Sequence, residues 1–216
     1  MVANGFYKNV RRLDAKDIEF VCYGMPRSGS TLVYQLISGI YSQGVVKTHR
    51  YCDHPVKTVV SYRDFRDTAV SLWRRSDPAN LHKSMTEAEV DLFARRCQEH
   101  LVVLDRYFER GGVCPLQYEQ FVNHPEIVFS AIESVFGVVV HPDTIAKLIK
   151  QHCLEENRRI AQRFPVFSRY DERTQIHGNH IYRGEVGSWR EFVDNRGAER
   201  LERILRACLV RYGYRT

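Results

Sequence analysis

Residues 23 to 31 read Tyr23-Gly24-Met25-Pro26-Arg27-Ser28-Gly29-Ser30-Thr31. From Gly24 to Thr31 the stretch follows the phosphate-binding pattern G-x-x-x-x-G-K-[ST], except that Ser30 stands in the lysine position. An apolar run precedes it, and apolar side chains recur at helical spacing after it. The sequence therefore predicts a strand, a glycine-rich loop and a helix, whose backbone N–H groups and dipole form an anion site.

The missing lysine restricts the chemistry of this loop. In P-loop NTPases that lysine contacts the phosphates being cleaved, whereas here the only cation in the loop is Arg27. The loop therefore suits an anionic ligand better than it suits ATP hydrolysis. Two glycines at such a junction are also compatible with a tight turn alone, so other segments must decide.

A second candidate anion site follows a β-rich run over residues 56–62. Arg63 stands at the end of this predicted strand, and Asp67 is predicted to cap a helix over residues 68–75. Ser71 lies one turn into that helix and is expected to face back toward Arg63. A guanidinium and a hydroxyl in this arrangement can hold a phosphate, although surface ion pairs are an alternative for the segment taken alone.

The segment Val45-Val46-Lys47-Thr48-His49 predicts a short strand with two polar side chains at its end. Alternation places Lys47 and His49 on the same face. Such a pair suits a transfer in which His49 removes a proton while Lys47 neutralises charge on the transferred group. Lys47 is expected to lower the pKa of His49 and keep it neutral. A structural role for a lone histidine at a strand end is the alternative.

Near the C-terminus, two glycines follow Arg183 and precede Trp189. Gly184 and Gly187 allow a backbone to approach a ligand closely, and the large apolar side chain of Trp189 would anchor such a loop. The alternative is a plain surface turn.

Taken in order from about residue 18 to the C-terminus, these segments resemble the motifs of sulfotransferases that use 3'-phosphoadenosine 5'-phosphosulfate (PAPS). Residues 26–31 resemble the loop P-K-S-G-T-T that holds the 5'-phosphosulfate, and residues 47–49 match the K-T-H segment. Residues 63–71 are similar to R-D-P-R-D-V-A-V-S, whose first arginine and serine hold the 3'-phosphate. Residues 118–119 resemble a Y-E pair beside the adenine, and residues 184–189 resemble the last six positions of the R-K-G-x-x-G-D-W loop over the 3'-phosphate.

The resemblance implies specific roles for residues of this chain. It gives His49 as the catalytic base, with Lys47 and Arg27 stabilising the transferred sulfuryl group and the leaving group. The implied donor-binding residues are Arg27, Ser28, Gly29, Ser30, Thr31, Leu32, Arg63, Ser71, Tyr118, Arg183 and Gly184. The implied reaction moves the sulfuryl group to a hydroxyl, or as second choice an amine, of a small-molecule acceptor and releases adenosine 3',5'-bisphosphate (PAP) without a metal.

The chain also departs from the family pattern. Arg27 replaces a lysine, Leu32 replaces the tryptophan that stacks on adenine, and Tyr182 replaces the first arginine of the R-K-G segment, which leaves Arg183 as the cation there. The interval before His49 is short, whereas larger members carry a substrate-binding insertion in it. A P-loop kinase or NTPase, or an inactive nucleotide-binding protein, therefore remain the alternative functions.

Composition favours one domain over residues 1–216 with an α/β fold, in which helices cover both faces of a central parallel sheet in three layers. The chain has 44% hydrophobic residues and a net charge of +6. Its sequence indicates no specific nucleic-acid binding, no membrane-spanning segment and no signal peptide, and its cysteines form no C-x-x-C pair. We expect a cytoplasmic monomer or weak homodimer without a bound metal.

Three local patterns predict individual helices and one strand. Thr86 and Glu89 form a capping box that begins a helix, and Pro142 begins another that reaches about residue 163. Pro115 predicts an edge position or a bulge for its strand, because it lacks the N–H that an interior strand donates. Aromatic and histidine side chains that could either line an acceptor pocket or pack in the core are Tyr51, His54, Trp73, Phe164, Phe167 and Tyr170.

Overall fold

The computed structural model describes residues 15–41, 43–53, 55–178, 181 and 183–215. Its four strands form one parallel sheet in the order β2-β1-β3-β4. The strands are β1 (Phe20–Gly24), β2 (Val45–Thr48), β3 (Lys57–Tyr62) and β4 (Val113–Gln117). The helices are α1 (Ser30–Ile40), α2 (Phe65–Ser76), α3 (Glu87–Arg110), α4 (Tyr118–Phe121), α5 (Glu126–Phe136), α6 (Pro142–Gln151), α7 (Leu154–Ala161) and α8 (Asn195–Arg211).

The sheet is covered on both faces, as the predicted α/β fold requires. Because successive side chains of a strand point to opposite faces, β1 contributes to two separate cores. Phe20 and Cys22 pack with buried residues of α1 and α5, whereas Tyr23 packs with buried residues of α2, α3 and α8. The predicted three-layer architecture with a central parallel sheet is confirmed.

Two helix boundaries differ from the predictions. Helix α2 begins at Phe65 and its cap is Asp64, whose carboxylate accepts from the backbone N–H of Arg66 at 2.8 Å. The prediction that Asp67 caps the helix was therefore wrong, and its carboxylate is used elsewhere.

The helix predicted from Pro142 to about residue 163 is two helices, α6 and α7, separated at His152 and Cys153. Asn157 stabilises the break, since its side-chain amide donates to the carbonyl of His152 and pairs with Gln35 of α1. This long-range amide pair has no signal in the local sequence, so periodicity alone could not show the break.

Two other local predictions are confirmed. Thr86 and Glu89 form the capping box that begins α3. Pro115 lies in β4, which among the described strands pairs only with β3 and is therefore an edge strand. An edge strand tolerates proline because one side of its backbone needs no partner.

The carboxyl ends of the parallel strands bring the predicted motifs to one edge of the sheet. The glycine-rich loop follows β1, His49 follows β2, Arg63 follows β3, and Tyr118 follows β4. The strand order reverses between β1 and β3, and ligands of open α/β sheets bind in the crevice at such a point. The topology therefore predicts a binding cleft at this edge.

Candidate functional site

The loop between β1 and α1 is held in a conformation that exposes backbone to a ligand. Arg27 and Gly29 have positive φ angles of 70° and 74°, and alternation of such residues with ordinary ones forms a concave nest of N–H groups. A Cβ atom at Gly24 would lie 2.1 Å from the Cβ of Ser30, so only glycine fits there. The first N–H groups of α1 have no partner within the helix and add to the nest.

Ser28 supports the loop from within. Its backbone N–H donates to the carbonyl of Met25 at 3.1 Å, and its buried hydroxyl lies 2.6 Å from the same oxygen and 2.9 Å from the carbonyl of Ser61. The predicted contact between Ser28 and the donor stays a prediction. The N–H and hydroxyl of Ser28 both hold the loop against β3.

A cavity of about 730 Å³ lies over this loop and the adjoining strand ends. Every predicted site residue except Ser28 lines it, namely Arg27, Gly29, Ser30, Thr31, Leu32, Lys47, His49, Arg63, Ser71, Tyr118, Arg183 and Gly184. Residues more than 150 positions apart in the sequence thus meet in one cavity.

Lys47 and His49 reach this cavity together, as their alternation predicts. Lys47 Nζ donates to the hydroxyl oxygen of Thr31, at the first turn of α1. His49 Nδ1 lies 2.5 Å from the carbonyl oxygen of Gly24. Because a carbonyl can only accept, Nδ1 carries the proton and Nε2 carries the lone pair. The ring is therefore oriented to accept a proton at Nε2.

Burial and neighbouring charges shift the pKa values of these cations. The pKa of His49 falls to about 4, chiefly through burial and secondarily through the charge of Lys47. The expected direction is found, although burial and not Lys47 is the larger cause. Burial also lowers the pKa of Lys47 to about 7 and that of Arg27 to about 9, with Arg75 as the largest charge acting on Arg27. His49 is therefore neutral at neutral pH.

Arg27 connects the two predicted phosphate sites. Its Nε donates to the hydroxyl oxygen of Ser71 at 2.8 Å. Ser71 was expected to face Arg63, but in the structure its hydroxyl holds the guanidinium of Arg27. The loop after β1 and helix α2 are thereby tied together beside the cavity.

Arg63 is buried and held from three sides. It pairs with Asp67 at 3.2 Å, donates to the carbonyl of Glu185 at 2.6 Å, and lies over the ring of Tyr118 at 4.3 Å. Its Nε is buried and has no hydrogen-bond partner in the part of the chain that the structure describes. A buried donor without a partner costs roughly 1–3 kcal/mol, so the position suits a ligand that supplies an acceptor.

Asp67 fixes the C-terminal loop over the cavity, a role that the sequence reasoning missed. Its carboxylate accepts from the backbone N–H groups of Gly187 at 2.8 Å and Trp189 at 2.9 Å. Tyr118 adds a hydrogen bond from its hydroxyl to the carbonyl of Gly184 at 2.8 Å. The spacing of Arg63 and Asp67, four residues apart at a helix start, was the signal available in the sequence.

Replacing Asp67 by asparagine is expected to lower the free energy of unfolding by about 3 kcal/mol, because buried Arg63 loses its counter-charge and an amide cannot accept both loop N–H groups. Urea denaturation followed by circular dichroism measures the change. Asp143→Asn is the matched control, since the Asp143 side chain is 95% exposed and should shift stability by less than about 0.5 kcal/mol. Equal changes in the free energy of unfolding for the two substitutions would contradict the role of Asp67 in holding the C-terminal loop.

Glu119 is a second residue that the sequence did not single out for a structural role. Its carboxylate accepts from the N–H of Asp64 at 2.8 Å and from the hydroxyl of Tyr214 at 3.0 Å. It thus joins the end of β3 to the C-terminal segment, a contact between distant residues that no local pattern indicates.

The residues predicted either to line an acceptor pocket or to pack in the core lie in different environments. Phe167 lines the cavity, together with His177 from the same segment. Trp73 is fully buried in the core, Tyr51 packs on Tyr107, and Phe164 packs against Ile176 and its neighbours. Tyr170 stacks on His177. His54 and Tyr182 lie outside the described residues, so the departure noted at Tyr182 stays a prediction.

A family model described as a sulfotransferase domain matches residues 45–213. The chain belongs to the sulfotransferase family. This confirms the predicted resemblance and enzyme class, a PAPS-dependent sulfotransferase, over the alternative of a P-loop kinase. A search of curated proteins finds no match.

Two solved structures have a fold similar to that of this sulfotransferase. Mouse sulfotransferase SULT7A1, complexed with PAP, has a TM-score of 0.63 at 17% identity, over 92% of this chain and 88% of that one. Retinol dehydratase, complexed with androsterone and the inactive cofactor PAP, has a TM-score of 0.66 at 16% identity, over 91% of this chain and 81% of that one. Identities this low show a shared fold alone.

Two other kinds of feature are absent from the residues that the structure describes. There, no helix of this sulfotransferase is long and apolar enough to cross a membrane. The same residues include no group of three or more histidine, cysteine or acidic side chains that could hold a metal ion. The predicted oligomeric state and cytoplasmic location stay predictions.

Proposed function

We propose that this sulfotransferase moves the sulfuryl group of PAPS to the hydroxyl of a small-molecule acceptor, with His49 as the base. The observation that carries the proposal is one cavity in which a neutral histidine lies beside Lys47 and Arg27 and over a nest of backbone N–H groups. An amine acceptor is the second choice.

The residues present fit the donor. The loop nest, Arg27, Lys47 and Thr31 would hold the 5'-phosphosulfate, and Arg63 would hold the 3'-phosphate, which gives its buried Nε an acceptor. The 3'-phosphate would also lie near the remaining predicted contacts, which are Ser71, Arg183 and Gly184. Leu32 and Tyr118 would pack beside the adenine. The PAP in both solved structures supports this assignment.

The side chains supply the chemistry around the transfer. When bound, PAPS supplies the sulfuryl group: an acceptor oxygen–sulfur bond forms, the bond from sulfur to the 5'-phosphate oxygen breaks, and PAP leaves. His49 Nε2 takes the acceptor's hydroxyl proton, because Nδ1–H is held by the carbonyl of Gly24. Lys47 and Arg27 place positive charge where negative charge develops in the transition state.

Calorimetric titration with PAP, with ATP and magnesium, and with adenosine 5'-phosphate tests the donor site. We expect metal-independent binding of PAP that is much tighter than binding of adenosine 5'-phosphate, because only PAP carries the 3'-phosphate. Preference for ATP with magnesium would contradict the proposal. Transfer of labelled sulfate from PAPS to any hydroxyl acceptor would exclude the inactive-protein alternative.

Affinity for PAP is expected to fall as the pH rises through the pKa of Lys47, which is about 7 in the free protein. Bound phosphate raises that pKa, so binding takes up a proton above neutral pH. Between about pH 7 and about pH 9, where the phosphates are already fully charged, the association constant should fall at least about tenfold. Titration calorimetry across this range measures the change.

The control for this pH dependence is Lys47→Arg, whose guanidinium stays charged over the whole range. Its affinity for PAP should change much less with pH, apart from the loss of charge on Arg27 near the upper end. An equally steep decline in both proteins would mean that Lys47 is not the group that titrates.

A further inference from the structure

The wall of the cavity carries more positive charge than the proposed donor uses. Seven lysine and arginine side chains line it, and Glu185 is the only acidic one among the described residues. The proposed donor contacts account for four of the seven. Of the others, Arg158 donates to the carbonyl of Arg183 and Arg74 lies over the ring of Phe192. Arg75 therefore remains without a role in donor binding or in packing against the core.

Arg75 is oriented by an aromatic ring and not by an acid. Its guanidinium carbon lies 3.4 Å from the centroid of Phe167. It forms no hydrogen bond or ion pair with any residue that the structure describes. A cation on a ring face keeps its N–H donors at the edge of the guanidinium, where an anion can still accept from them. Arg75 is exposed to solvent, and its N–H donors are available to a ligand in the cavity.

The ring under Arg75 belongs to a rigid stack at the cavity wall. Phe167 stacks on His177 with centroids 4.4 Å apart and planes within 8°, and Tyr170 stacks on the same histidine at 4.8 Å. His177 Nδ1 donates to the carbonyl of Phe167 at 2.8 Å, which fixes the ring. Phe167 and His177 both line the cavity. Arg75 and His177 cover the two faces of the Phe167 ring, so the stack presents ring edges to the cavity beside the positive charge.

Arg75 is also within electrostatic range of the proposed reacting groups. Its charge contributes to the lowered pKa values of both Arg27 and His49. Arg75 also lines a second cavity of about 330 Å³, together with Arg96, Glu99 and His100. His49 and Arg75 line the same cavity, so one molecule can place its hydroxyl at His49 and another group at Arg75.

We propose that Arg75 is an anion subsite for the acceptor, which is an aromatic hydroxyl compound carrying a carboxylate or sulfonate-type anionic group. Its ring packs beside Phe167 and His177, and its anionic group accepts hydrogen bonds from the Arg75 guanidinium. The inference rests on the proposed function and narrows it from small molecules in general to acidic ones. A neutral acceptor would leave the N–H donors of Arg75 unused.

Binding of matched acidic and neutral phenols to the protein saturated with PAP tests the subsite. The probes are 4-hydroxyphenylacetate against its amide, and 4-hydroxybenzenesulfonate against its sulfonamide, which distinguish carboxylate from sulfonate. Because PAP fills the donor site, the probes report on the acceptor side. We expect at least one acidic probe to bind at least about tenfold more tightly than its neutral partner. Arg75→Gln should abolish that preference.

The matched control is Arg106→Gln. Arg106 lies over the ring of Tyr51 at 3.8 Å, the same kind of contact, but it does not line the cavity. This variant should keep the preference. The inference is overturned if neither acidic probe binds more tightly than its partner, if none of the probes binds, or if Arg75→Gln keeps the preference. PAP is titrated first, and absence of PAP binding would overturn the proposed function and this inference together.

Discussion

Replacing His49 by alanine is expected to lower kcat about 10² to 10⁴-fold, the usual contribution of a general base. The affinity for PAP should change little, because His49 is assigned to the acceptor's proton and not to a phosphate. Single-turnover transfer of labelled sulfate from PAPS, together with calorimetric titration of PAP, measures the two quantities separately. Parallel losses in both would indicate a structural role for His49.

His177 provides the matched control. It lines the same cavity, and its Nδ1 also donates to a backbone carbonyl, so it is the other histidine there with a defined tautomer. His177→Ala should affect the KM for the acceptor more than kcat, since its ring is assigned to packing. If His177→Ala loses kcat and His49→Ala keeps it, the base is His177.

The pH profile gives an independent check on His49. Its lowered pKa means that the free protein keeps the neutral, accepting form down to about pH 4. The acidic limb of kcat/KM for PAPS, which reports the groups of the free enzyme, should therefore lie well below the ordinary histidine value of about 6.5. An acidic limb near the ordinary value would mean that the base is more exposed than His49.

The fold and the positions of the site residues followed from local patterns in the sequence. Strand-ending polar residues such as Lys47, Arg63 and Tyr118 could be placed at one edge because parallel strands share the direction of their carboxyl ends. The glycine-rich loop could be recognised from the spacing of its glycines. Gly24 belongs to that pattern because a side chain there would clash with Ser30.

The contacts that determine the role of each side chain could not be predicted from the neighbouring sequence. A phosphate contact was expected at the hydroxyls of Ser28 and Ser71. In the structure the Ser28 hydroxyl donates to a carbonyl of its own loop, and the Ser71 hydroxyl accepts from Arg27. Asp67 was taken for a helix cap, but the backbone N–H groups that its carboxylate accepts from lie 120 residues or more away along the chain. The hydrogen-bond partner of each side chain depends on which distant residues the tertiary fold places beside it. Local sequence propensity carries no information about those residues.

Replacing Arg63 by alanine is expected to weaken PAP binding by about 2–5 kcal/mol, since a buried phosphate loses its charged partner. Adenosine 5'-phosphate lacks the 3'-phosphate, so its affinity should change far less. Calorimetric titration with both nucleotides therefore reports the loss of discrimination directly. Equal losses for PAP and adenosine 5'-phosphate would place Arg63 outside the 3'-phosphate site.

Part of the loss in Arg63→Ala would come from Asp67. Its fully buried carboxylate lies 3.2 Å from Arg63 and would remain as an unpaired negative charge beside the phosphate. The double variant Arg63→Ala/Asp67→Asn removes this repulsion, so it should recover part of the PAP affinity if the phosphate binds here. Arg66→Ala is the matched control, because Arg66 is an equally buried arginine whose carboxylate partners are Asp64 and Glu202. It should lower stability without changing the ratio of the two nucleotide affinities, since Arg66 does not line the cavity.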